Sequence, residues 1–103
     1  MTHPLQTTID ELWERRTELS PQSPADTIAA INAIVDELDA GKIRVAEKIN
    51  GEWFTHQWIK KAVLLSFRIR ENRVQEAGDM RFYDKVDTKF ADWTEEDFKR
   101  GGF

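Results

Sequence analysis

Cysteine is absent from all 103 residues. That absence excludes disulfides, thiolate nucleophiles and cysteine-ligated metal, and it accords with a reducing compartment. Long apolar runs are missing too. None approaches the roughly 20 residues that a bilayer-spanning helix needs, so neither a membrane span nor a membrane partner is expected. The opening stretch, MTHPLQTTIDELWERR, has no basic start and no apolar h-region, so it does not read as a secretory signal and the cytoplasm is the expected location. Histidine is scarce: only His3 and His56 occur. Neither has a partner histidine at helical spacing, and a metal centre needs several convergent ligands, so no metal site is expected. The glycines, at positions 41, 51, 78, 101 and 102, fit neither a phosphate-binding loop nor a dinucleotide fingerprint.

What is present describes a globular protein, with 40% hydrophobic and 33% charged residues. At this length a single domain, residues 1–103, is expected. The net charge of −4 is unevenly spread. Residues 1–41 hold two basic and eight acidic groups, residues 42–73 eight and three, and residues 74–103 five and eight. A basic island thus lies between acidic flanks. Its plainest meaning is a solvated helix face that complements acidic neighbours. A basic segment interleaved with aromatics can also bind nucleic acid, but such domains usually have a basic pI and this chain does not, so nucleic acid is not an expected partner.

The island contains the strongest local signals. Asn50-Gly51 separates two strand-like runs, and this pair accepts the positive φ angles of a type I′ turn. A two-residue loop sets Ile49 opposite Glu52, Glu47 opposite Phe54 and Val45 opposite His56. Ile43, Val45, Ile49 and Phe54 then share one side, the expected core side, making the hairpin a lid on a helical body. Trp53 points the other way, beside Lys48, and needs either a covering helix or a partner. Past Phe54 the apolar period lengthens to that of a helix, with Trp58, Ile59, Ala62, Val63, Leu65, Ser66 and Ile69 in a stripe and Thr55 as the expected cap.

Upstream, a first helix is expected over about Pro4 to Leu19 and a second over about Ala25 to Ala40, the latter closed by Gly41 as a C′ glycine. Ser20-Pro21 and Ser23-Pro24 separate them. Val74 to Val86 keeps no sustained period and reads as an irregular crossing. Thr94, followed by Glu95, Glu96 and Asp97, caps a short terminal helix that ends at Gly101-Gly102. The fold class is therefore α+β and mainly helical: three principal helices, one β-hairpin between the second and third, and a short C-terminal helix.

Candidate chemistry is thin. His56, where strand passes into helix, is an acid or base candidate, although a lone histidine there more commonly makes a structural hydrogen bond. Ser66 has no nucleophile context. Asp10/Glu11, Asp36/Glu37 and Glu95/Glu96 are sequence neighbours that splay about 100° apart on a helix, so they form no dyad. Arg81, Phe82, Tyr83, Asp84 and Lys85 make a polar-aromatic cluster that reads as surface capping more than as a ligand loop. No catalytic, substrate-binding, cofactor-binding or metal residue is assigned.

The run RVAEKINGEWFTHQWIKKAVLLSFRI, followed by RFYDKV and KFADW, resembles the N-terminal domain of tetrahydrodipicolinate N-succinyltransferases across nearly the whole chain. The resemblance implies an acyltransferase of lysine (diaminopimelate) biosynthesis that uses succinyl-CoA. It also implies a homotrimer in which this domain precedes a left-handed β-helix of hexapeptide repeats that carries the chemistry. The family's substrate-binding arginine would follow the Gly-Phe that matches Gly102-Phe103. By this resemblance the present residues bind no cofactor and are inactive alone, with the β-helix domain and neighbouring subunits as partners. The positive face of the island could then attract coenzyme A phosphates or an acidic surface. The alternative is a stand-alone binding or regulatory module that kept the fold without catalysis.

Overall fold

The computed structural model describes residues 3–103. They form a mainly helical α+β protein whose order is α1 (Gln6–Glu14), a 3-10 turn (Arg16–Glu18), α2 (Ala25–Asp39), β1 (Ala46–Ile49), β2 (Glu52–Thr55), α3 (Gln57–Arg68), β3 (Arg73–Ala77), β4 (Met80–Asp84) and α4 (Glu95–Arg100). The three helices, the hairpin between α2 and α3 and the short last helix are as the sequence predicts. The residues gather into two compact units, one ending at Asn72 and the other spanning Arg73–Phe103.

In the first unit α3 packs against both α1 and α2. Ile9 and Leu12 from α1, Ile31 and Ile34 from α2, and Ile59, Ala62 and Leu65 from α3 form the buried core, closed at its edges by Leu19 and Ile69. The small Ala62, with no exposed surface, leaves room for neighbouring helices to approach. Ser66 is the one buried polar residue among those described. Its hydroxyl donates to the Val63 carbonyl of the preceding turn at 2.6 Å. That bond satisfies it within its own helix, as a packing residue. At the far end of α3, Arg70 Nη2 donates to Asn32 Oδ1 of α2 at 3.0 Å.

The first helix is shorter than its apolar spacing predicts. Arg15, at φ −117° and ψ 34°, leaves the helical region, and the chain tightens into the 3-10 turn. Arg16 takes up the resulting loose end: its Nη1 donates to the Trp13 carbonyl at 2.9 Å while the guanidinium lies 4.4 Å from the centre of the Trp13 ring. Leu19 still reaches the core, which is why the spacing alone made the helix look continuous. The bend that follows is held by Ser20, whose N–H donates to Ser23 Oγ at 2.9 Å, while the Ser23 N–H donates to the Ser20 carbonyl at 3.0 Å.

Gly41 ends α2 as predicted. With φ at 74° it occupies the left-handed region, its N–H donating to the Leu38 carbonyl and that of Lys42 to the Glu37 carbonyl. This pair of bonds defines a Schellman motif.

The first hairpin has the predicted register, Glu47 opposite Phe54 and Ile49 opposite Glu52. Asn50 and Gly51, at φ 51° and 83°, make the I′ turn. Its role as a lid is corrected. Only the foot of its inner face, Ile43 and Val45, packs on the core; Ile49 and Phe54 near the tip remain 44% and 53% exposed. Trp53 on the opposite side is 75% exposed, so no helix covers it. Thr55 is likewise not the cap of α3. It pairs with Ala46 as the last residue of β2, and His56 occupies the N-cap position without a side-chain capping bond.

In the second unit, Val74 to Val86 forms a second hairpin where an irregular crossing was expected. Gly78 takes a φ of 63° and Asp79 stays negative, the φ signature of a II′ turn, and Ala77 faces Met80 directly across it. Every residue of β4 is exposed. With no side pressed on a core, selection imposes no alternation, which removed the periodic signal. The unit's apolar centre is instead an aromatic cluster of Phe90, Trp93, Phe98 and Phe103, with ring centroids from 4.7 Å to 6.1 Å apart. α4 supports it from both ends. Thr94 and Asp97 form a reciprocal capping box at the start. At the finish Gly102, at φ 84°, and Phe103 donate back to Lys99 and Phe98, so a second Schellman motif lays the Phe103 ring beside Phe98. Bonds from the Thr94 N–H, first, and from its hydroxyl hold the Asp97 carboxyl below its ordinary pKa, helped by the nearby Arg100 guanidinium.

No helix among the described residues is long and apolar enough to cross a membrane.

Candidate functional site

One pocket of the first unit lies where the hairpin foot meets α3. It measures about 300 Å³ and is lined by His3, Pro4, Lys42, Ile43, Arg44, Glu47, His56, Trp58 and Ile59. Its construction follows from the Schellman turn: the chain reverses at Gly41 and carries Lys42, Ile43 and Arg44 past the start of α3.

One residue of α2 anchors two of the walls. The Glu37 carbonyl accepts the Lys42 N–H at 2.9 Å, and its side-chain Oε2 lies 2.6 Å from His3 Nε2. The Leu5 N–H donates to His3 Nδ1 at 3.0 Å, so Nδ1 is the acceptor and Nε2 carries the hydrogen given to Glu37. Both ring nitrogens are thereby used, and the His3 ring is presented to Trp58, 5.1 Å away between centroids.

His56 occupies the opposite side. Its Nε2 lies 3.4 Å from Glu47 Oε1, and its ring meets the Phe54 edge at 4.9 Å. Glu47 is the only acidic residue in the lining, against the basic Lys42 and Arg44. No ion pair or side-chain hydrogen bond engages either cation among the described residues.

The remaining candidates do not converge on this pocket. Asp10 pairs with Lys61 of α3 at 3.6 Å, as a basic face complementing an acidic neighbour should. Within the polar-aromatic cluster, Arg81 reaches across the second hairpin to Glu76 at 3.2 Å, and Tyr83 opposite Val74 is 71% exposed. No group of three or more His, Asp or Glu side chains suited to a metal occurs among the described residues. The Ser66 hydroxyl is spent on its own helix and pairs with neither histidine. The pocket has an aromatic wall, apolar sides and two cations without a side-chain partner among the described residues. Sequence reading missed the role of His3 because its partner is 34 residues away and joined to it only by the fold.

Fold and site together define a mainly helical α+β protein whose first unit carries a pocket of apolar, aromatic and cationic residues. Residues 4–69 match the family described as tetrahydrodipicolinate N-succinyltransferase N-terminal, and the chain belongs to that family. The matched segment ends within the first unit, just before the Asn72 boundary. Similarity to individual relatives runs further. The chain is 81% identical over 103 residues to the 2,3,4,5-tetrahydropyridine-2,6-dicarboxylate N-succinyltransferase of Dechloromonas aromatica (strain RCB), covering 100% of this chain and 38% of that protein. Enzymes of the same name from Laribacter hongkongensis (strain HLHK9) and Bordetella pertussis (strain Tohama I) are 55% and 54% identical, over 97% and 100% of this chain and 37% and 38% of theirs. The chain therefore spans less than two fifths of the length of the curated relatives it matches.

Proposed function

We propose that the chain serves as the N-terminal domain of an N-succinyltransferase acting on tetrahydrodipicolinate in the diaminopimelate route to lysine. The observation that carries this reading is the 81% identity to a relative so named, sustained over every residue of the chain. In the reaction water adds across the ring C=N bond of the substrate and the ring opens to an amine and a ketone. The amine attacks the thioester carbonyl of succinyl-CoA, loses a proton as the amide bond forms, and coenzyme A leaves as the thiol. The reading assigns that step to the portion of the relatives that this chain does not span. Partnership with that portion, a homotrimeric assembly and a cytoplasmic location belong to the same reading and rest on the family resemblance.

A chimaera tests it. This chain replaces the matching segment of the Dechloromonas aromatica relative, and coenzyme A release is followed with tetrahydrodipicolinate and succinyl-CoA. The chimaera is expected to turn over, and the isolated 103-residue chain is expected to show no release above background. A folded but inactive chimaera, or succinylation by the isolated chain, overturns the assignment.

A further inference from the structure

We propose that the pocket at the foot of the first hairpin binds a small organic anion with a flat hydrophobic body, in the simplest case an aromatic monocarboxylate. The Trp58 ring, Ile43, Ile59 and Pro4 would receive the body, and Lys42 and Arg44 the charge.

Three observations support this. The volume, about 300 Å³, is at the lower end of what small-molecule sites offer and suits one or two fused rings. The tryptophan is braced by a histidine whose two nitrogens are already committed, to Glu37 and to the Leu5 N–H, so the ring that backs the aromatic wall is held in place. Finally, the cations of the lining outnumber its carboxylates by two to one, and the single carboxylate, Glu47, faces His56 while Lys42 and Arg44 have no side-chain partner among the described residues. A cationic lining over an apolar floor favours an anion with a hydrophobic ring over either a bare ion or a neutral ring. The inference is independent of the transferase reading, since it is argued from the lining of the pocket and its test reads binding, not turnover.

The test is a titration of the nitrogen-15-labelled 103-residue chain with 2-naphthoate, its uncharged counterpart 2-naphthamide, and inorganic phosphate, read by amide and indole chemical shifts. Naphthoate is expected to give saturable shifts at residues 42–44 and 56–59, including the Trp58 indole, and to bind about fivefold more tightly than naphthamide, the scale of a partly exposed ion pair. In the Lys42→Gln/Arg44→Gln double variant that advantage disappears while the circular dichroism spectrum is unchanged. Equal affinity for the two naphthyl probes overturns the proposal. So does naphthoate whose shifts centre on the exposed Trp53, or phosphate that reproduces the same shifts at the same concentrations.

Discussion

Leu64 and Leu65 are adjacent on one helix, yet Leu65 is wholly buried between α1 and α2 while Leu64 is 41% exposed. Substituting each with alanine therefore separates burial from helix propensity, which is common to both. Leu65→Ala should cost about 2 to 5 kcal/mol through lost transfer energy and the cavity left behind. Leu64→Ala should stay within about 1 kcal/mol. Urea unfolding followed by far-ultraviolet circular dichroism measures both, with a lowered midpoint and an unchanged slope for Leu65→Ala. Similar losses for the two variants would show that the core is not centred where Ile9, Ile31, Ile34 and Leu65 place it. The same residue scale governs His3, whose hydrogen-bond partners fix its tautomer and hold its ring beside Trp58.

At the scale of elements, α4 contains the clearest electrostatic control. Because the folded Asp97 has a depressed pKa, the stabilisation by its capping bonds is fully present above the ordinary aspartate range and is lost as pH falls through the lower folded value. Acidification should thus loosen α4 and separate the Phe98 and Phe103 rings before it affects α1–α3. Amide shifts of residues 94–103 recorded against pH measure this, and Asp97→Asn should remove the dependence. If the α4 signals of the variant follow the same acid titration as those of the parent chain, another group is responsible.

Elements also show how far the fold was legible in the sequence. α2 with Gly41, the Asn50-Gly51 register, the α3 stripe and the Thr94 cap each have a local chemical cause within a few residues, and each appears where the residues indicate. The break at Arg15 was hidden because Leu19 keeps helical spacing although its backbone is not helical. The second hairpin was hidden because it is exposed on both sides and its turn is announced by Gly78-Asp79 alone. Of the pocket, only His56 stood out; His3, Lys42 and Arg44 come together through the Schellman turn, which the sequence marks with a single glycine.

For the whole molecule, the two units differ in kind. All the fully buried side chains among the described residues lie in the unit that ends at Asn72, while Arg73–Phe103 has an aromatic cluster and no residue classed as buried. Backbone protection should follow that division, because opening free energies track buried apolar contact. Hydrogen exchange resolved by residue is expected to show the core amides of α1–α3 protected well beyond those of β3 and β4. Equal protection in both would mean that the second unit is stabilised by more than the contacts described for it.

The double use of Glu37 extends this picture into motion. Its carbonyl belongs to the last turn of α2 and its carboxylate holds His3, so fraying of that turn would release Lys42 and His3 together. Helix ends open far more often than helix centres do. The pocket's resting shape and the order of a single helical turn are accordingly one equilibrium. Whatever occupies the pocket would draw that turn shut by mass action.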